Sequence, residues 1–404
     1  MLQLTHNIKG DMEMRKLCIT NFLLIFLFTF LTGCSNQTSA ITNMDDYATN
    51  EGYESVTTSN KGIPKEQIKI GILLISDSTI TAGYTYTHDL GIQGMQNNLG
   101  LSNEQIVYKW NVPDTNQAAI KNALQECIDE GCNIIFATSF GYMETMAEMA
   151  EQYPDIYFSH ASGHMSNGKN FNNYFGRIYQ ARYLSGIAAG LKTQSNKLGY
   201  VAAQGSDSSE VTGGIDAFAM GAYSVNPNAK IYVKVTGSWD DPEAEKAATH
   251  FLIDYGCDVI AQHCDSAFPQ ILAQEAGVWG IGYNSDMSKE APNATLTSVL
   301  WNWSAYYTHA VQSIIDGTWD GENYLGGINE GLVSLSPLTD FNAPNANEKI
   351  NEAQKSMVEG TFNVFDGEIE TNTGEIIGKP NSTLDDTTIL RGINWYFKNV
   401  VILQ

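Results

Sequence analysis

Glu130-Gly131-Cys132-Asn133-Ile134-Ile135-Phe136 and Tyr255-Gly256-Cys257-Asp258-Val259-Ile260 carry the same instruction twice in one chain. Each reads as the end of a helix closed by glycine, which enters the left-handed conformation that stops a helix without steric cost. Each then passes at once into an apolar run, the pattern of a strand in a parallel sheet covered on both faces. Two copies of one helix-to-strand junction predict two copies of one α/β plan.

Working outward, β-rich runs alternate with longer helical patterns. Strands are predicted at 67–75, 105–110, 132–138, 155–161, 197–203, 230–236, 257–262 and 278–283, and helices near 86–98, 115–130, 142–152, 179–194, 209–225, 242–255 and 266–276. Strands separated by helices imply parallel sheets with helices on both faces. At roughly 100–200 residues per domain, a chain of 404 residues holds about two or three. The charge is lopsided, with 45 acidic against 22 basic side chains and a formal net charge of -23. Binding a nucleic-acid polymer needs a concentrated cationic surface, so DNA and RNA are excluded as partners.

The first 33 residues differ in kind. Met14-Arg15-Lys16-Leu17 precedes the apolar run Phe22–Leu31, then Thr32-Gly33-Cys34. This is the order of a signal peptide, and about ten apolar residues fall short of the roughly 20 that span a bilayer. Asp11 and Glu13 do not suit such a segment, which points to a start at Met12 or Met14. Leu31-Thr32-Gly33-Cys34 resembles the bacterial lipobox, which makes Cys34 the expected lipidation site. Residues 34–64, rich in Ser, Thr, Asn and Gly, read as a tether. The body is therefore expected outside the cell membrane, lipid-anchored and facing the extracellular or periplasmic side.

Catalytic signatures are missing. Gly163-His164-Met165-Ser166-Asn167-Gly168-Lys169-Asn170 comes within one residue of a phosphate-binding loop, but Asn170 stands where a hydroxyl must meet Mg²⁺. HExxH, GxSxG and GxGxxG do not occur as required, the histidines are scattered, and no Cys/His cluster suggests a metal. Neither a cofactor nor an enzymatic activity is expected. Cys132 and Cys257 open buried strands as small apolar residues; a Cys127–Cys132 disulfide stays open at this level. What stands out is aromatic and amide chemistry at strand ends: Tyr84 and Thr85, Trp110 and Asn111, Ser139 and Phe140, Trp239, Tyr283 to Asp286, and Trp301-Asn302-Trp303. Ligands of open α/β sheets bind at the carboxyl ends of strands, so these segments predict an aromatic-walled cleft for a flat ligand. Glu144 and Asp286 are candidate acceptors for its N–H or hydroxyl groups.

Phe175-Gly176-Arg177-Ile178-Tyr179-Gln180-Ala181-Arg182-Tyr183-Leu184-Ser185-Gly186-Ile187-Ala188-Ala189-Gly190, with Lys197-Leu198-Gly199-Tyr200-Val201, Gly214-Ile215-Asp216-Ala217-Phe218 and Gly282-Tyr283-Asn284-Ser285-Asp286, resembles the BMP/PnrA-like family of ABC-transporter substrate-binding lipoproteins. The resemblance implies the type I periplasmic-binding-protein fold: two doubly wound parallel-sheet α/β domains joined by a three-crossover hinge. It apportions 65–176 plus 287–325 to the N-terminal domain, 177–286 plus 326–364 to the C-terminal domain, and 365–404 to an extension read as a hairpin or lid. It further implies a purine nucleobase or nucleoside held by aromatic stacking, an ABC permease as partner, and a monomer. Tyr84 and Trp239 fall on the family's facing aromatics, Glu144 near its base-contacting acid and Asp286 on its ribose-contacting Asp. Trp301 replaces a sugar-reaching Lys and Thr85 an Asn, a Trp-rich version that resembles a subgroup binding bases such as adenine. Phe140, Ser139 and Asn111 complete the expected wall. The rival readings are another flat or sugar-like ligand such as a flavin, and an extracellular nucleosidase.

Overall fold

A computed structural model describes residues 61–77, 79 and 81–404. Cys34, the signal segment and nearly all of the tether lie outside them. The first sheet is built from β1 (Ile70–Leu73), β2 (Ile106–Lys109), β3 (Ile134–Ala137), β4 (Tyr157–Ala161) and β5 (Phe171–Gly176), with α1 (Gly83–Leu99), α2 (Gln117–Asp129) and α3 (Met143–Gln152) between strands. The second repeats the plan: α4 (Ile178–Lys192), β6 (Lys197–Ala202), α5 (Ser209–Val225), β7 (Lys230–Val235), α6 (Pro242–Asp254), β8 (Val259–His263), α7 (Phe268–Glu275), β9 (Trp279–Asn284) and β10 (Thr295–Trp301). The chain continues through α8 (Trp303–Asp316), β11 (Tyr324–Gly326), β12 (Val333–Leu335), α9 (Ala346–Val358), β13 (Asp366–Glu370), β14 (Ile376–Thr383), α10 (Asp386–Arg391) and β15 (Val400–Leu403).

Strand order shows the duplication. The first sheet runs β11-β5-β4-β3-β1-β2 and the second β12-β10-β9-β8-β6-β7-β15, so both contain the doubly wound order 2-1-3-4-5. Within these two sheets all pairs among the described residues are parallel except β10 with β12. Ile70 aligns with Ile134 and with the half-buried Ile106 of edge strand β2, and Leu198 with Ile231 and Val259; all but Ile106 are fully buried, which places an aliphatic row through each sheet. Gly131 and Gly256 take φ of 86° and 93°, the left-handed closure their positions call for.

Three connections pass between lobes: Gly176 to Ile178, Trp301 to Trp303, and Gly326 to Val333. The second falls later than the expected return to the first domain at 287. Thr295–Trp301 pairs with β9 through Val299 opposite Tyr283 and Leu300 opposite Asn284, so this strand belongs to the second sheet. Only at α8, which packs on α1, does the chain rejoin the first lobe. The phosphate-loop look-alike leads into strand β5, not a helix, and Asn167 Oδ1 accepts the N–H groups of Lys169, Asn170 and Phe171 there.

The extension is part of the fold. β13 and β14 form an antiparallel hairpin, while β15 pairs with β7 and lengthens the second sheet. Phe397 N–H donates to the buried Asp216 carboxylate at 2.7 Å. Cys127, Cys132, Cys257 and Cys264 are buried free thiols, and neighbouring Cys132 together with burial pushes the Cys127 thiol up. No helix among the described residues is long and apolar enough to cross a membrane.

Candidate functional site

The carboxyl ends of the two sheets face one cavity of about 390 Å³, within the range of small-molecule sites. From the first lobe, Ile75 and Ser76 follow β1, Asp114 follows β2, Ser139 and Phe140 follow β3, Ser162 follows β4, and Phe175 lies on β5. The first turn of α1 adds Tyr84 and Thr85. The second lobe supplies Glu210 from the first turn of α5, Trp239 and Asp240 after β7, Asp265 after β8, and Tyr283 on β9.

Local structure explains each placement. Gly83 takes φ of 85°, and a Cβ there would stand 2.3 Å from the Asp265 carbonyl oxygen, so only glycine lets α1 begin against the opposite lobe. Trp239 is fixed by its loop: Thr236 Oγ1 donates to the Ser238 carbonyl at 2.8 Å, and Asp265 N–H to the Trp239 carbonyl at 2.8 Å. Next in line, the Asp241 side chain caps α6 by accepting the N–H groups of Glu243 and Ala244. Asn111, Ser162 and Asn284 take positive φ at or just beyond the carboxyl ends of β2, β4 and β9, a costly conformation that clusters at ligand sites.

The lining is acidic. Asp114, Glu210, Asp240 and Asp265 border the cavity, and among the described residues no Lys or Arg does. Burial pushes the Asp265 carboxyl up to about 7, reinforced by Asp240 and Glu245 and opposed by Asn284, whose Nδ2 donates to Oδ1 at 2.8 Å. Burial also raises Glu210 to about 7, held back by Arg182. Although Glu210 is 24% exposed, the exposed part faces the cavity. Arg182 itself is fully buried behind the wall, its guanidinium 4.0 Å from the Tyr283 ring centre and its Nη1 donating to the Gln262 carbonyl at 2.6 Å. His263, 3.8 Å from Glu210 Oε1, is driven well below its ordinary value by burial and is neutral. The Tyr84 hydroxyl is buried with no hydrogen-bond partner among the described residues.

Five of the nine ligand residues expected from sequence meet here: Tyr84, Thr85, Ser139, Phe140 and Trp239. Four do not. Asn111 is exposed and donates to Asp77 at 3.3 Å. Glu144 points outward from the first turn of α3. Asp286 closes its own turn by accepting Ser288 N–H at 3.0 Å, and Asn284, two residues earlier, is the member of that motif that reaches Asp265. Trp301 is 5% exposed and sits behind the wall, stacked on Trp303 with centroids 4.4 Å apart and donating to the Tyr283 hydroxyl at 3.1 Å. Asp114, Glu210 and Asp265 were not singled out, although the strand-end rule reaches Asp265 and Asp114; Tyr283 was read as a strand-end aromatic without a ligand role of its own.

The raised carboxyls predict a pH effect. A group whose folded pKa is about 7 keeps its proton in the native state after the unfolded chain has lost it, so its contribution to stability falls as pH rises from about 4 towards 7. Glu210, Glu245 and Asp265 act this way, while buried His88, His160 and His263, pushed down, act oppositely below about 6.5. Comparing the unliganded native protein with Glu210→Gln isolates one carboxyl. The variant should gain on the native protein between pH 5 and pH 8 by on the order of 2 kcal/mol in thermal unfolding. A constant or shrinking difference contradicts the assignment.

The comparisons with known proteins agree with this architecture. The family model described as ABC transporter substrate-binding protein PnrA-like matches residues 68–364. A purine-binding protein of Brucella abortus is 34% identical over 337 residues, covering 83% of this chain and 93% of the relative. A putative ABC transporter glucose-binding protein of Haloferax volcanii is 34% identical over 313 residues, 76% of each. Among solved structures, a solute-binding protein of an ABC transporter system from Conexibacter woesei superposes with a TM-score of 0.63 at 16% identity, covering 73% of this chain and 98% of that one, a likeness of fold. With a type I periplasmic-binding fold and a cavity between its lobes, the chain belongs to the PnrA-like family of ABC transporter substrate-binding proteins.

Proposed function

We propose that this protein captures a purine nucleobase or nucleoside between its lobes and hands it to an ABC permease, tethered to the membrane through a lipid on Cys34. One observation carries the ligand class: Tyr84 and Trp239, from opposite lobes, border a single cavity whose polar lining includes Asp114, Glu210, Asp240 and Asp265 and, among the described residues, no Lys or Arg. Aromatic faces suit a flat ring, and carboxylates accept hydrogen bonds from ring and exocyclic N–H groups. The same acids repel phosphate, so a neutral base or nucleoside suits the cavity better than a nucleotide. The purine-binding relative supports this reading, and the putative glucose-binding one makes a hexose the rival.

Calorimetry on protein stripped of carried ligand tests it, with adenine, guanine, hypoxanthine, their nucleosides, glucose and riboflavin as titrants. At least one purine is expected to bind with a Kd of about 1 μM or tighter. Binding of glucose or riboflavin without any purine, or release of free base from a nucleoside, would overturn the reading.

A further inference from the structure

The ring cavity does not end the cleft. A second chamber of about 540 Å³ adjoins it, and Phe140, Ser162, Phe175 and Glu210 border both. This chamber continues along the carboxyl edge of the first sheet, past β4 towards β5 and β11. Its far wall is α10: Asp386, Thr387, Leu390 and Arg391. That wall lies in the C-terminal extension, beyond residue 364, where the match to the family model stops.

The wall is anchored at both ends. Arg177, at the first crossing between lobes, donates from Nε and Nη2 to Asp386 at 3.1 and 2.8 Å, and the Tyr179 hydroxyl donates to the same carboxylate at 2.9 Å. Asp385 caps α10 by accepting Thr388 N–H at 2.7 Å, and Ile389 is buried. Arg391 Nη2 reaches the first lobe and donates to the Gly163 carbonyl at 3.0 Å. Such a segment is a fixed surface of the cleft.

We infer that the C-terminal extension is part of the ligand site, and that its chamber takes a hydroxylated substituent, the ribosyl group of a nucleoside, while the ring lies in the inner cavity. This rests on the purine reading above. The chemistry of the lining selects the substituent. Ser162, Ser208, Ser209 and Thr387 can donate or accept, and Asp207 and Glu210 accept, a mixture that matches sugar hydroxyls, which do both. Arg391 is the one Lys or Arg of the lining among the described residues, and it is engaged with Gly163 and faces an excess of carboxylates, which disfavours a phosphate.

Thr387 is exposed and borders only the outer chamber, so Thr387→Trp fills that space with little demand on folding. Calorimetry with adenosine and adenine, on the native protein and on Thr387→Trp, reads the affinity ratio of nucleoside to base. The native protein should bind adenosine at least as tightly as adenine, and the variant should lower the adenosine-to-adenine affinity ratio by about tenfold or more, because a clash built against one ligand acts on that ligand alone. Native protein that binds adenine but not adenosine, or a ratio unmoved by the substitution, overturns the inference and leaves the purine reading standing. Adenine and adenosine weakened equally in the variant also overturns it. Absence of binding by every purine in the native protein is the separate result that removes the ring assignment itself.

Discussion

Trp239→Ala is expected to weaken purine binding by about 1–3 kcal/mol, the cost of removing one aromatic platform from beneath a base. That is roughly 5- to 150-fold in Kd, well within the reach of calorimetry. The loop makes the substitution informative. Its shape is set by the Thr236 hydroxyl, the Asp265 N–H to the Trp239 carbonyl and the Asp241 cap, none of which involves the indole. The indole is half-buried, 5.7 Å from the His263 ring in an edge-on arrangement, so its loss takes away modest packing. The folded protein should therefore survive with a similar unfolding temperature and lower affinity. Tyr84 is a poorer target for truncation because its ring also packs edge-on against His88 at 4.4 Å and Trp303 at 6.0 Å, which mixes folding with binding. An unchanged Kd in Trp239→Ala would remove stacking from the mechanism while leaving the family membership intact.

How much of this was legible differs by level. The junctions at Gly131 and Gly256 announced two α/β halves because a left-handed helix stop and a buried strand are both local properties of a few residues. The strand-end rule then found Tyr84, Thr85, Ser139, Phe140 and Trp239, since parallel sheets deliver the residues after each strand to the same edge. Direction within a turn is less local. Asp286 looked like the polar anchor of its motif, yet the positive φ at Asn284 ends the strand there and Asp286 closes the following turn instead. Trp301 closes a strand, but β10 belongs to the second sheet, and there the indole stacks on Trp303 behind Tyr283. Glu210 resembled any acid at a helix start; its meaning comes from Arg182, 28 residues earlier in sequence, which is buried beneath the Tyr283 ring and holds back its proton affinity. The extension was least legible, because β15 finds β7 and Arg391 finds Gly163 only through the assembled fold.

The glycines of the run Phe175 to Gly190 are expected to matter through packing, and Gly221→Ala on the facing helix α5 tests this. Helices α4 and α5 approach so closely that their backbones touch. A Cβ on Gly221 would lie 1.9 Å from the Tyr183 carbonyl oxygen, one on Gly186 2.1 Å from that of Phe218, and one on Gly190 2.7 Å from that of Ala222. Backbone cannot swing aside as a side-chain tip can, so the helices must separate. Overpacking of this kind costs about 1–3 kcal/mol, and a collision with a carbonyl belongs near the upper end. The helix pair carries Arg182 on one member and Glu210 on the other, so separation also loosens the second-lobe wall of the cavity. Gly213→Ala is the matched control. It lies in the same helix, yet its Cβ would meet the Ile389 carbonyl oxygen at 3.4 Å, an ordinary contact. Helix propensity alone favours alanine over glycine by about 1 kcal/mol at both positions. Thermal unfolding should therefore move in opposite directions: Gly213→Ala neutral or up, Gly221→Ala down by roughly 5–10 °C at about 2–4 °C per kcal/mol. Equal shifts of the same sign would show that propensity, and not the close approach of α4 and α5, governs this helix pair.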